Sequence, residues 1–233
     1  MSLLVVLGFG SLAFGLALAA VVGGLSGPAG HGGEQGHPRK VFHLGVFVGA
    51  VPALLLGGFW GTVIYGSVIS SVILGSLWQG RDLPFVSGLA RAEEHRAHPV
   101  RSILVPLAST AFGGLAAVLL VGRFAAVGFL VCGLGDAAGE AAGRVWGRHR
   151  YRAFPWTEEA STRTLEGSLA VFLAGTLGAS VGLGIMGFSV TQALSVGLAC
   201  GGVGALSEAL SGRESDNFWV QVLPSLVAWW LLG

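Results

Sequence analysis

Apolar stretches separated by polar breaks run the length of the chain, at about 2–24, 41–57, 59–78, 101–121, 124–142, 168–187, 189–209 and 216–232. A helix that crosses a hydrocarbon layer of about 30 Å needs ~20 mostly apolar residues. The pattern therefore predicts eight membrane-spanning helices, or seven if 41–57 falls short of a full crossing. The expected fold class is an all-α, polytopic integral-membrane helix bundle. No repeat of roughly 20–50 residues and no interdomain linker interrupts it. The expected organisation is one integral-membrane domain over 1–233, with an N-terminal helix and loop at 1–38 and a helical core carrying any chemistry at 39–233. Ala17-Leu18-Ala19 offers a small-x-small cleavage pattern, but no Lys or Arg precedes the first apolar run as a signal peptide requires. That stretch is expected to stay as a helix.

Composition strengthens the membrane reading. Lys and Arg number 13 and Asp and Glu 12 among 233 residues, 11% charged, under half the share of about 25% usual in soluble domains. With 53% apolar residues and a mean hydropathy of +0.75, too few polar side chains remain to coat a water-facing globule. A net charge of +1 and the lack of a basic run interleaved with aromatics argue against nucleic-acid binding. Cys132 and Cys200 sit in apolar stretches without metal-ligand spacing, which excludes a disulfide framework or a zinc site and makes them small core residues.

Charge also orients the bundle. Numbering the loops alternately puts Arg39, Lys40, Arg81, Arg91, Arg96, Arg101, Arg144, Arg148, Arg150, Arg152, Arg163 and Arg213 on one face and Arg123 on the other. That asymmetry assigns the charged face to the cytosol, with the protein multi-pass in the cell (inner) membrane and both termini on the far side. His31, His37, His43, His95, His98 and His149 fall on the charged face, as do essentially all the acids. Chemistry on a polar substrate is expected there.

The densest constellation is Gly135-Asp136-Ala137-Ala138-Gly139-Glu140-Ala141-Ala142-Gly143-Arg144-Val145-Trp146-Gly147-Arg148. Gly135, Gly139, Gly143 and Gly147 recur every fourth residue, a smooth stripe that lets another helix or a phosphate chain approach the backbone. Asp136, Glu140, Arg144 and Arg148 share that spacing and form a charged stripe beside it. Acids for Mg²⁺ and guanidinium groups for phosphate oxygens are what a metal–triphosphate site needs. The alternative is an i,i+4 ion-pair ladder that only holds the helix end. Acids this close to hydrocarbon nevertheless suggest function.

Three more clusters reach the same face. Arg39, Lys40 and His43 open the second stretch, where Arg39 and Lys40 could also be ordinary positive-inside flanks. Thr162-Arg163-Thr164-Leu165-Glu166-Gly167-Ser168 opens the sixth, where Thr164 or Ser168 could cap the helix and leave its N–H groups facing an anion. Glu208 ends the seventh stretch, and Asp216-Asn217 begins the eighth.

Arg-Lys-x-x-His at 39–43, Gly-Asp at 135–136 with Gly-Arg-x-x-Gly at 143–147, Thr-Arg-Thr-Leu-Glu-Gly-Ser at 162–168, and Asp216-Asn217 together resemble the dolichol/phytol/diacylglycerol kinase family. Its members are polytopic membrane enzymes that use CTP to phosphorylate a lipid alcohol, and they are related to the phosphatidate cytidylyltransferases. The likeness runs from about residue 39 to 224. Arg163 stands where the family often has Lys, and Gly139 followed by Glu140 stands where many members have Ala.

The resemblance implies a Mg²⁺-dependent phosphotransferase that moves the γ-phosphate of CTP to a polyprenol, phytol-type alcohol or diacylglycerol. It implies Asp136 as metal ligand or base, Glu140, Asp216 and Asn217 as further metal-site residues, and Arg39 and Lys40 in the catalytic site. The nucleotide would be held by His43, Gly135, Gly139, Gly143, Arg144, Gly147, Arg163, Thr164, Glu166, Gly167 and Ser168. The expected partners are a nucleoside triphosphate, a lipid alcohol and the bilayer, and the reading allows for a homodimer. A cytidylyltransferase making a CDP-lipid would need nearly the same charged site. A small ion-coupled transporter would need ionisable groups at mid-depth, whereas these cluster at one end.

Overall fold

The computed structural model describes residues 2–26, 37–80, 83–89, 100–152, 162–212 and 216–233. Arg81, Arg91, Arg96, Arg213, His31, His95, His98 and the side chain of His37 lie outside them. The helices are α1 (Leu3–Leu25), α2 (His37–Gln79), α3 (Pro84–Leu89), α4 (Arg101–Val121), α5 (Ala125–Trp146), α6 (Leu165–Ile185), α7 (Val190–Leu210) and α8 (Asp216–Leu232). A short ribbon, β1 (Arg150–Arg152) and β2 (Thr162–Thr164), lies between α5 and α6. Among the described residues, five continuous helical stretches are long and apolar enough to cross a membrane, so the chain is the expected all-α membrane bundle.

Two of those stretches are each long enough for two crossings, and in both a glycine makes the reversal. As a straight rod α2 would extend ~65 Å, about twice the hydrocarbon thickness. At Gly58 the backbone turns to φ 57°, ψ −143°, a conformation costly for any residue with a Cβ. The limbs on either side then fold together: Tyr65 Oη donates to the Val46 carbonyl at 2.8 Å, although 19 residues of straight helix would separate them by ~28 Å. The close approach continues at Gly61, whose missing Cβ leaves room for the Ala53 carbonyl. The predicted stretches 41–57 and 59–78 are these two limbs. Likewise Gly122, at φ 57°, starts a 3-10 turn over Gly122–Phe124, after which Phe129 of α5 packs back on Gly114 of α4.

The chain forms two compact units, Met1–Ala108 and Ser109–Gly233, which meet within α4. In the first unit, α1 lies against both limbs of α2. Leu18 fills the space over Gly45, Leu7 that over Gly57, and Ile69 that over Gly15. In the second unit, α5 packs on α6 and α8, and α7 packs on α6 and α8. Small residues set these approaches, as expected where lipid removes the hydrophobic drive for helices to associate. A Cβ on Gly201 would meet the Thr176 backbone nitrogen at 2.6 Å, and one on Gly178 the Leu130 carbonyl at 2.8 Å.

Several serine hydroxyl groups within the helices are satisfied locally. Ser11, Ser76, Ser180, Ser207 and Ser225 each donate to the carbonyl four residues earlier, which removes the cost of an unpaired group in an apolar phase. Trp60, Trp78, Trp146, Trp219, Trp229 and Trp230 are exposed near helix ends or reversals, where amphipathic rings favour the membrane interface. Cys132 and Cys200 are buried and unbridged.

Candidate functional site

The site of the second unit is built where α5 and α7 end and α6 and α8 begin. The glycine stripe of α5 is occupied by α6: Val171 sits as a knob between Gly135 and Gly139, and a Cβ on those glycines would lie 3.2 and 2.5 Å from its methyl groups. A Cβ on Gly143 would lie 3.1 Å from Thr164 Oγ1, and one on Gly147 2.7 Å from Thr164 Cγ2. Of the two approaches the stripe permits, the helix is the one observed.

The charged stripe points beside it. Glu140 and Arg144 form the i,i+4 ion pair at 2.5 Å, with 22% and 51% of their side chains exposed. The ladder alternative therefore describes that pair. Asp136 is half-buried one turn earlier, and Arg148 is exposed.

After α5 the chain turns into an antiparallel ribbon in which Arg150 faces Thr164, Tyr151 faces Arg163 and Arg152 faces Thr162. Side chains directly opposite in such a pair share a face, so Tyr151 and Arg163 point the same way and the exposed Arg150 and Arg152 the other. The Tyr151 hydroxyl is 2.6 Å from Ser168 Oγ, tying the ribbon to the first turn of α6. Thr164 is the N-cap, its Oγ1 accepting from Gly167 N–H at 3.1 Å. Leu165 N–H donates to the His149 carbonyl at 3.0 Å. Glu166 turns back to accept from His149 N–H at 3.3 Å and lies 2.7 Å from the ring Nδ1. Thr164 and Glu166, expected at the nucleotide, thus lock the ribbon to its helix, and protein groups already satisfy two of the orphan N–H donors of α6.

Arg163 is the hub. Its Nη1 donates to Glu208 Oε1 and its Nη2 to Asp216 Oδ2 at 3.3 Å. The three side chains are only 14%, 19% and 19% exposed. One guanidinium thus joins β2, the end of α7 and the first residue of α8. The second Glu208 oxygen faces α5, 3.9 Å from where a Cβ on Gly139 would be. Asp216 Oδ1 accepts from Asn217 N–H at 2.9 Å; an acid at a helix N-terminus also suits the helix dipole. A guanidinium with two carboxylates, facing α5 at Gly139, is a charge-dense, largely desolvated end of this unit.

Asn217, expected at a metal, has its amide between helices. Nδ2 donates to Thr110 Oγ1 of α4 at 2.9 Å, and Oδ1 faces Cys132 Sγ of α5 at 3.9 Å. Two groups the sequence reading missed continue this seam. The buried Gln221 donates to the Asn217 carbonyl at 2.6 Å and the Thr110 carbonyl at 3.2 Å. Ser225 accepts from Gly128 N–H at 3.2 Å. Asn217, Gln221 and Ser225 recur every fourth residue, and that spacing was the signal available for them.

Among the described residues, no three His, Cys, Asp or Glu side chains gather as a metal-ligand set. Mg²⁺ commonly takes one or two carboxylates and completes its shell with water and substrate phosphates. The donors of this site fit that arrangement and do not fit a protein-only cage. Arg39, Lys40 and His43 belong to the first unit, half-buried in the first turns of α2, where the His43 and Phe47 rings meet edge to face at 4.8 Å.

Fold and site together define a polytopic helical membrane protein with ionisable groups gathered at one end of its second unit. A phytol kinase from Synechocystis sp. (strain ATCC 27184 / PCC 6803 / Kazusa) is 35% identical to the chain over 132 residues, 52% of this chain and 53% of that protein. The chain thus spans about half the length of the curated relative it matches. No family profile and no solved structure matches it.

Proposed function

We propose that this protein is a lipid-alcohol kinase that transfers the γ-phosphate of CTP to an isoprenoid alcohol of the phytol type at the cytosolic membrane face. The observation that carries the reading is the gathering of Arg163, Glu208 and Asp216, with Glu208 facing Gly139 of α5, the helix that carries Asp136 and Glu140. The likeness to a phytol kinase supports it.

Phosphoryl transfer is mainly a problem of position and charge. The alcohol oxygen attacks the γ-phosphorus, the bond to the β–γ bridging oxygen breaks, and CDP leaves. Asp136 lies ~6 Å deeper along α5 than Glu140, nearer the apolar phase from which a lipid hydroxyl arrives, and takes its proton. Arg144 and Arg163 bind phosphate oxygens and oppose the charge of the transferring group. Glu140 and Asp216 are the carboxylates that would hold Mg²⁺. When bound, that ion neutralises the phosphates and helps align them. The acceptor's tail stays in lipid and needs no closed pocket.

The test is to incubate the purified chain with γ-labelled CTP or ATP and a panel of phytol, farnesol, undecaprenol and diacylglycerol. Label in the lipid from CTP and phytol is the expected result. Cytidine in the lipid would make the protein a cytidylyltransferase, and an unlabelled lipid fraction across the panel would refute the kinase reading.

A further inference from the structure

We infer that Glu208 is a positioning residue: by holding Nη1 of Arg163 it aims the Nε–Nη2 edge of that guanidinium at a phosphate of the nucleotide. The inference rests on the function proposed above and adds a residue that neither the motifs nor the comparisons assign.

A guanidinium offers five N–H donors in a plane, and Nε and Nη2 lie along one edge, matched to two oxygens of a phosphate. In Arg163 the donors are used unequally. Nη1 is held closely by Glu208 Oε1. Nη2 reaches Asp216 at 3.3 Å, longer than the ~2.7–2.9 Å of a good charge-assisted bond. Nε is buried and donates to no acceptor among the described residues. Nε and Nη2 share one edge, and Nη1, the donor that Glu208 holds, is off it.

The carboxylates differ in the matching sense. Asp216 is turned toward its own helix, with Oδ1 on Asn217 N–H, and touches the guanidinium only loosely. Glu208 approaches from α7 and also faces α5 at Gly139, so it fixes the guanidinium plane relative to that helix, which also carries Asp136 and Glu140. A role confined to holding helices together would be served better by a two-bond fork between arginine and one acid, which this geometry does not form. Lysine, with a single point charge, has no edge to aim; the device is specific to the arginine at this position.

The test uses the full chain in lipid nanodiscs and measures equilibrium binding of CTP and ATP with Mg²⁺ to wild type, E208A, E208Q, R163Q and the double variant R163Q/E208A, with thermal unfolding of each. E208A should weaken nucleotide binding about tenfold, the scale of a lost charge-assisted contact. E208Q, which keeps an acceptor for Nη1, should recover most of that loss. In the R163Q background E208A should weaken binding no further, the non-additivity of residues acting through one contact. In turnover the nucleotide KM should rise while the KM for the lipid alcohol stays constant. Unchanged affinity in E208A, additive losses in the double variant, or a lowered melting temperature with normal affinity in the folded fraction would each overturn the inference while leaving the kinase reading intact. Wild-type protein that binds neither nucleotide would overturn both. If E208A does not survive purification, E208Q and R163Q/E208Q carry the same cycle, with an expected loss of about two- to threefold.

Discussion

The glycine stripe of α5 permits a sharp test, because a helix and a nucleotide would respond oppositely to the same methyl group. Gly139→Ala places a Cβ 2.5 Å from a Val171 methyl and 3.4 Å from the Gly167 carbonyl, whereas real Cβ atoms essentially never approach a heavy atom closer than 3.0 Å. Val171 is buried to 2% exposure and β-branched on a helix, so it has one strongly preferred rotamer and cannot swing aside. The helices must separate, at an overpacking cost of about 2–3 kcal/mol. The better helix propensity of alanine offsets about 1 kcal/mol of this. The net expectation is a loss of about 1–2 kcal/mol, read as a lower melting temperature of the detergent- or nanodisc-embedded protein. Val171→Ala removes the colliding methyl group, so Gly139→Ala should cost little in that background, a coupling of about 1–3 kcal/mol. Nucleotide affinity of the folded fraction should not change. A Gly139→Ala variant that melts like wild type yet loses nucleotide binding would refute the packing account and assign the stripe to the ligand.

Asp136→Asn should abolish labelled-phosphate transfer in protein that is correctly folded by size exclusion and melting; retained turnover would remove Asp136 from the mechanism. Thr110→Val leaves Asn217 Nδ2 without its 2.9 Å acceptor and should cost about 1–3 kcal/mol, while Thr110→Ser should stay near wild type. Equal melting of the two variants would count against the seam between α4 and α8. Tyr151→Phe removes the 2.6 Å contact with Ser168, at about 1 kcal/mol, and should speed hydrogen exchange over 150–152 and 162–164 more than in α6 itself. Unaltered exchange in the ribbon would show that Tyr151 does not anchor it.

Relations set by the helical repeat were legible from the chain alone. Apolar run lengths gave the crossings, and the break between the runs 41–57 and 59–78 falls where the structure turns the backbone at Gly58 to φ 57°, a conformation open to a residue without Cβ. The Glu140–Arg144 pair was equally local, four residues apart on one face. Thr164 and Ser168 were both open to capping from their place before an apolar run, and the structure caps the helix with Thr164. What the repeat leaves open is the rotation and partner of each helix, and there tertiary packing decided the outcome. It placed Val171 against the glycine stripe of α5 and turned the Asn217 amide to Thr110. It brought Arg163 to Glu208 and Asp216, 45 and 53 residues away in sequence. Such contacts depend on how small-residue faces of four helices fit together at one end of the second unit. That fit is a property of shapes meeting in space, which no spacing along a single helix encodes.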